Sequence, residues 1–140
     1  MRKSPLKNSG WLAATIVLSA LLSGCGSAKH PLVQVKGRVV FEDGQPLPAG
    51  TRIILEPVEP DRMPAVGELA SDGTFELKHT SGSRGAEIGK YRVRLAAPAD
   101  DAGSFFRLVP ESYAEGSELS LEVKPNLDEV VWKVRRKNRT

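Results

Sequence analysis

Few residues in this 140-residue chain carry reactive chemistry, and one of them is unique: Cys25, in the stretch "LLSGCGSAKH". One cysteine cannot close an internal disulfide, so the core must hold without one. Thiol chemistry at Cys25 is therefore that of a single nucleophile. The other candidates are sparse. There are two histidines, His30 and His79. A zinc site ordinarily needs three or four ligands at workable spacing, which two separated histidines and no second cysteine do not supply. Both histidines are expected at the solvated surface. No serine stands in a G-x-S-x-G turn. Carboxylates at Glu42-Asp43, Glu59-Asp61 and Asp100-Asp101 lack EF-hand spacing and read as turn chemistry. No cofactor, metal ligand set or catalytic residue is expected.

What surrounds Cys25 gives it a use. "MRKSPLKNSG" is basic and carries no acid, and 12 uncharged residues follow from Trp11 to Leu22. Small residues Ser23 and Gly24 then precede the cysteine. This is the three-part layout of a secretory signal. Twelve residues fall short of the roughly 20 that a spanning helix needs. Leu22-Ser23-Gly24-Cys25 resembles the lipobox of bacterial lipoproteins at all four positions. The resemblance implies diacylglycerol on the Cys25 sulfur, cleavage between Gly24 and Cys25, and acylation of the new terminus. The expected partner is thus a membrane, held through lipid on Cys25. Gly26, rather than an aspartate, points to the outer membrane, facing the periplasm or the cell surface. The chain then divides into a signal peptide (1–24), a lipidated tether (25–31), a domain (32–136) and a basic tail (137–140).

Charge follows the same division. The formal net charge is +3, but Arg2, Lys3 and Lys7 belong to the segment expected to be removed. Without them 17 basic residues face 17 acidic ones, so the mature domain is neutral and nucleic acid is not an expected partner.

The domain reads as strands. In "LVQVKGRVVF" the odd positions 33–41 are apolar or small and alternate with Gln34, Lys36 and Arg38. Alternation places one face in the core and one in water. The pattern recurs in "TRIILEP", "VGELA", "GTFELKH", "GKYRVRLA", "SELSLEV" and "DEVVWKVR", which directs Phe75, Leu77, Tyr91, Val93, Leu95, Val123, Trp132 and Val134 inward. Asp72-Gly73 marks a tight two-residue hairpin between 66–70 and 74–79. Helical spacing over three turns is absent after Cys25. Seven short strands with turns between them predict an all-β, antiparallel sandwich.

The opening "VKGRVVFEDGQPLPAGTRIILEP" resembles carboxypeptidase-regulatory-like, or transthyretin-like, domains. The shared elements are Gly37, Val39, Asp43-Gly44, Pro46-Leu47, Gly50 and the strand at 52–55. "SDGTFEL" and "GKYRVRL" resemble the later D-G-x-F and G-x-Y elements, and "VPESYAEGSELSLEVKPNLDEVVWKV" the tail of small lipoproteins with this domain. The resemblance covers residues 32–136. It implies a seven-stranded Greek-key sandwich that serves as a folding or interaction module. The transthyretin-like group also includes ureide hydrolases, whose C-terminal Tyr-Arg-Gly-Ser signature is absent from "RRKNRT".

Two segments offer contact surfaces. The long connection "PADDAGSFFRLVPESYAEG" (98–116) carries Phe105, Phe106 and Tyr113, which either cap an open end of the sandwich or bind a partner. The C-terminal Arg135, Arg136, Lys137 and Arg139 either fray into solvent or touch a polyanion such as anionic lipid or cell-wall polymer. The function expected is binding or scaffolding at the cell envelope without catalysis. An accessory subunit of an export or wall-assembly complex, and a small envelope hydrolase, are the alternatives.

Overall fold

A computed structural model describes residues 30–138. The signal segment, Gly24, Cys25 and Arg139 lie outside the described residues. Each predicted run contains strand. Among the described residues the elements are β1 (Leu32–Val33), β2 (Lys36–Phe41), β3 (Arg52–Pro57), β4 (Ala65–Glu68), β5 (Thr74–Glu76), β6 (Lys78–His79), β7 (Ala86–Glu87), β8 (Gly89–Ala96), α1 (Ala102–Leu108), α2 (Glu111–Glu115), β9 (Leu119–Val123) and β10 (Val130–Val134).

The strands form a sheet in the order β10-β2-β5, a larger one in the order β6-β4-β3-β8-β9, and the short pair β1-β7. The two main sheets share one core. Val35, Val39, Phe41 and Val134 come from the smaller sheet and its approach. Ile53, Leu55, Val93 and Leu95 come from the larger. Every side chain named above as inward lies in this cluster or against it, Trp132 being partly buried. Burial of these aliphatic and aromatic groups is the main stabilising term for a chain without a disulfide.

Four expectations need correction. First, pairing is not wholly antiparallel: β10 runs parallel to β2, with Val130 opposite Gly37 and Val134 opposite Phe41. Second, the run 74–79 is shared between sheets. β5 pairs with β2, β6 pairs with β4, and the chain crosses at the fully buried Leu77. Third, the turn before it has three residues. Gly73 N–H donates to Ala70 O (3.0 Å), Ala70 N–H donates to Thr74 O (2.9 Å), and Gly73 takes φ +84°. That is a type I turn completed by a left-handed glycine. Fourth, the 98–116 connection is helical in part. Asp101 caps α1 by accepting from Ser104 N–H, Pro110 starts α2, and Gly116 closes it in the left-handed conformation at φ +79°.

Strand direction gives the domain two ends. Phe41 and Val134 finish together because β2 and β10 are parallel. In the larger sheet Arg52 pairs with Ala96 at that same end, where the chain leaves for α1. Pro57 pairs with Tyr91 at the other end, near His30 and the loop 58–64. Eight residues of β8 separate the two ends, a span of about 25 Å.

Candidate functional site

The connection and the tail make one surface. Phe105 and Tyr113 turn into the core, at 1% and 3% exposure, while Phe106 stands 56% exposed. Phe105 meets Phe106 edge to face, with ring centroids 5.4 Å apart. The tail crosses this platform. Arg135 N–H donates to the Tyr113 hydroxyl (3.1 Å) and Lys137 N–H to Leu108 O (2.8 Å). Lys137 Nζ reaches Phe106 O at 3.4 Å. Of the two readings of the tail, fraying does not describe residues 135–137: hydrogen bonds from their backbone to Tyr113 and α1 pin them.

Two of the arginines are already engaged. Arg135 donates to Glu118 (2.7 Å) and lies 5.7 Å from the Tyr113 ring centre. Arg136 donates to Asp43 (2.9 Å) and sits 4.0 Å from the Phe41 ring centre. The Arg136 hydrogen bond, then the Gln45 N–H, hold the Asp43 carboxyl below its ordinary value of 3.8. The Ser112 hydroxyl, then Arg135, lower Glu118. Glu118 in turn raises Arg135. These pairs cancel charge locally, so the platform presents an exposed aromatic ring beside Lys137 and the exposed Arg107, rather than a dense cationic patch.

A second constellation lies at the other end. His79 is buried, not solvated as expected, and Glu87 is fully buried. His79 Nε2 lies 2.9 Å from Glu87 Oε1, and Ser81 Oγ lies 2.8 Å from Nδ1. Ser81 N–H also donates to Nδ1 (3.0 Å), which makes Nδ1 an acceptor and puts the proton of the neutral ring on Nε2. Glu87 Oε2 accepts from Met63 N–H (3.3 Å). Serine, imidazole and carboxylate thus stand in the order a nucleophilic site uses. For Nδ1 to take the Ser81 hydroxyl proton, however, it must give up the Ser81 N–H. As it stands, the group satisfies buried polar atoms and ties β6, β7 and the 58–64 loop together.

A shallow depression of about 250 Å³ lies over β8 and β9, lined by Val58, Tyr91, Arg92, Ser117, Glu118 and Leu119. Its ionised wall residue Glu118 is the partner of Arg135.

Comparison with protein-family models, curated proteins and solved structures finds no match. The likeness to carboxypeptidase-regulatory-like domains rests on the motifs quoted above. Among the described residues no group of three or more His, Cys, Asp or Glu is placed to hold a metal ion. No described helix is long and apolar enough to cross a membrane.

Proposed function

We propose that this protein is a lipid-anchored component of the bacterial cell envelope. Its domain is read as a Greek-key sandwich of the transthyretin-like kind that binds or scaffolds without catalysis. The observation that carries this reading is the Leu22-Ser23-Gly24-Cys25 motif, placed after a signal-type segment and five residues before His30, where the described domain begins. Several acyl chains hold a protein on a bilayer stably, at about 0.8 kcal/mol for each buried CH2. Gly26 favours the outer membrane as the address.

The platform of α1 and the tail favours the accessory-subunit version of this reading. An exposed phenylalanine flanked by Arg107 and Lys137, on a support fixed by buried Phe105 and Tyr113, matches the build of a protein contact: an aromatic anchor with a polar rim.

The test has two arms. Cys25→Ser should abolish labelling by a fatty-acid probe and leave an uncleaved precursor; label retained in the Ser variant refutes the anchor. Capture from solubilised envelopes, followed by mass spectrometry, should recover a partner with the native chain and lose it with Phe106→Ser. Phe106 is exposed, so that variant keeps its fold. A hydrolase would show itself differently, as turnover abolished by Ser81→Ala with no change in captured partners.

A further inference from the structure

We infer that the end of the domain formed by the 58–64 loop rests on the membrane surface, with Val58 and Met63 in the lipid interface and Phe106 directed away from it. The inference rests on the lipid anchor proposed above.

Chain length fixes which end is near the lipid. Five Cα steps separate Cys25 from His30, at most about 18 Å of extended chain. His30 is not free to extend this reach. Arg62 Nη1 donates to His30 Nε2 (2.9 Å), Asp61 Oδ2 lies 3.5 Å from the same nitrogen, and Arg62 Nε donates to Ile88 O (2.8 Å). The start of the domain is thus clasped to the 58–64 loop. The Phe106 platform is at the far end of β8, about 25 Å away along the strand.

The loop has the surface that such a position requires. Val58 and Met63 are 64% and 47% exposed, one at each end of the loop. Its one cation, Arg62, offsets one of its two carboxylates, and the other is hydrogen-bonded to the backbone. Asp61 pairs with Arg62 (2.7 Å), and Glu59 Oε2 accepts from Lys90 N–H (3.2 Å). Two exposed apolar side chains on a loop whose formal charge is only −1 fit a headgroup layer, into which amphipathic surfaces dip their apolar side. Met63 is also braced from behind, since its N–H donates to the buried Glu87. A protein partner or a second copy of the chain would bury the same residues, and the experiment separates these from lipid.

The full chain is expressed with its signal, purified from membranes and reconstituted in phosphatidylcholine vesicles at no more than one chain per vesicle. Val58→Cys, Met63→Cys and Phe106→Cys are each labelled with a nitroxide; the Cys25 sulfur carries the lipid and takes no label. Electron paramagnetic resonance then reads access of oxygen and of a water-soluble nickel chelate. Labels at 58 and 63 should be several-fold less open to nickel than the label at 106, and more open to oxygen. Equal nickel access at all three positions, or protection at 106 instead, overturns the inference. Protection that appears only when several chains share a vesicle also overturns it, in favour of a second copy. Intact mass is measured on the same samples. A chain without the diacylglyceryl mass removes the anchor and this inference together. An acylated chain with 58 and 63 in water removes the inference alone.

Discussion

Phe75 and Trp132 stack with ring centroids 5.6 Å apart and planes 4° from parallel, although their strands do not pair. β5 and β10 flank β2 on opposite sides, and Gly37 stands in register with both Phe75 and Val130. The missing side chain at Gly37 lets the Val130 backbone approach closely, and the two rings stack across the central strand. Because Trp132 is only partly buried, Trp132→Ala should cost about 2–3 kcal/mol, below the range for a fully buried aromatic. A double-mutant cycle with Phe75→Leu, read by urea unfolding, should give a coupling of about 0.5–1.5 kcal/mol. Additive losses would mean that the rings touch without cooperating.

Gly37→Ala tests the same junction from the backbone. A Cβ there would lie 1.8 Å from Val130 O, a ladder carbonyl that cannot move without parting β10 from β2. Gly44 is the contrast, with φ +86° but nothing within 4 Å of its would-be Cβ. The Gly37 variant should lose about 3 kcal/mol. The Gly44 variant should lose about 1–2 kcal/mol from backbone strain alone. Denaturation midpoints in the reverse order would refute the close approach.

Burial, and to a lesser degree the nearby Glu87 carboxylate, push the Tyr91 hydroxyl up to about 12 from 10.0. Its O–H donates to Glu87 O (2.8 Å). The native state therefore favours the protonated form. Its stability contribution is complete below pH 10 and declines between 10 and 12, at about 1.4 kcal/mol per pH unit. Tyr91→Phe should be less stable at pH 8 by about 1 kcal/mol, for the lost hydrogen bond. Its stability should then change less than the native chain's across the alkaline range, as followed by chemical denaturation at fixed pH.

The tail should come loose in acid. Asp43 and Glu118 both have lowered values, so their bonds to Arg136 and Arg135 are present above the ordinary 3.8 and 4.5 and fail as pH falls through the lower native values. The Arg136 Nε–H resonance should stay protected at pH 5 and lose protection well below 3.8. Asp43→Ala should remove that protection at every pH. Global stability should hardly change, because exposed ion pairs contribute little.

Period two made most of the core legible, and it reached further than residue type suggested. His79 shares parity with Phe75 and Leu77, whereas Glu87 lies in β7, where Ala86 and Glu87 are both buried and alternation gives no guide. Taken literally, alternation places His79 inside, where it is, and Glu87 meets it there. Their chemistry argued for water, and only the match between them, with Ser81 and Met63 closing the remaining bonds, makes burial tolerable. The helices were less legible. α1 and α2 have seven and five residues, too short for a periodic signal, though Asp101 three positions before Ser104 is a readable cap. The parallel pairing of β10 and the docking of the tail had no local signal at all. Both depend on residues distant in sequence, Gly37 for the first and Asp43, Leu108 and Tyr113 for the second.

The parallel ladder of β10 on β2 also orders events in time. Val130 meets Gly37 across 93 positions of chain, so the first long strand acquires this neighbour only when nearly the last one exists. Contacts of such range carry a large closure cost and slow folding. A chain that emerges N-terminus first thus keeps one side of β2 unsatisfied until residue 134 has followed it. The domain delays its own completion, and on the export route proposed above that delay suits passage in an extended state. A chain stopped at residue 127 should accordingly remain protease-sensitive, whereas one stopped at 138 should become resistant; equal resistance in the two would show that the last strand is not what completes the fold.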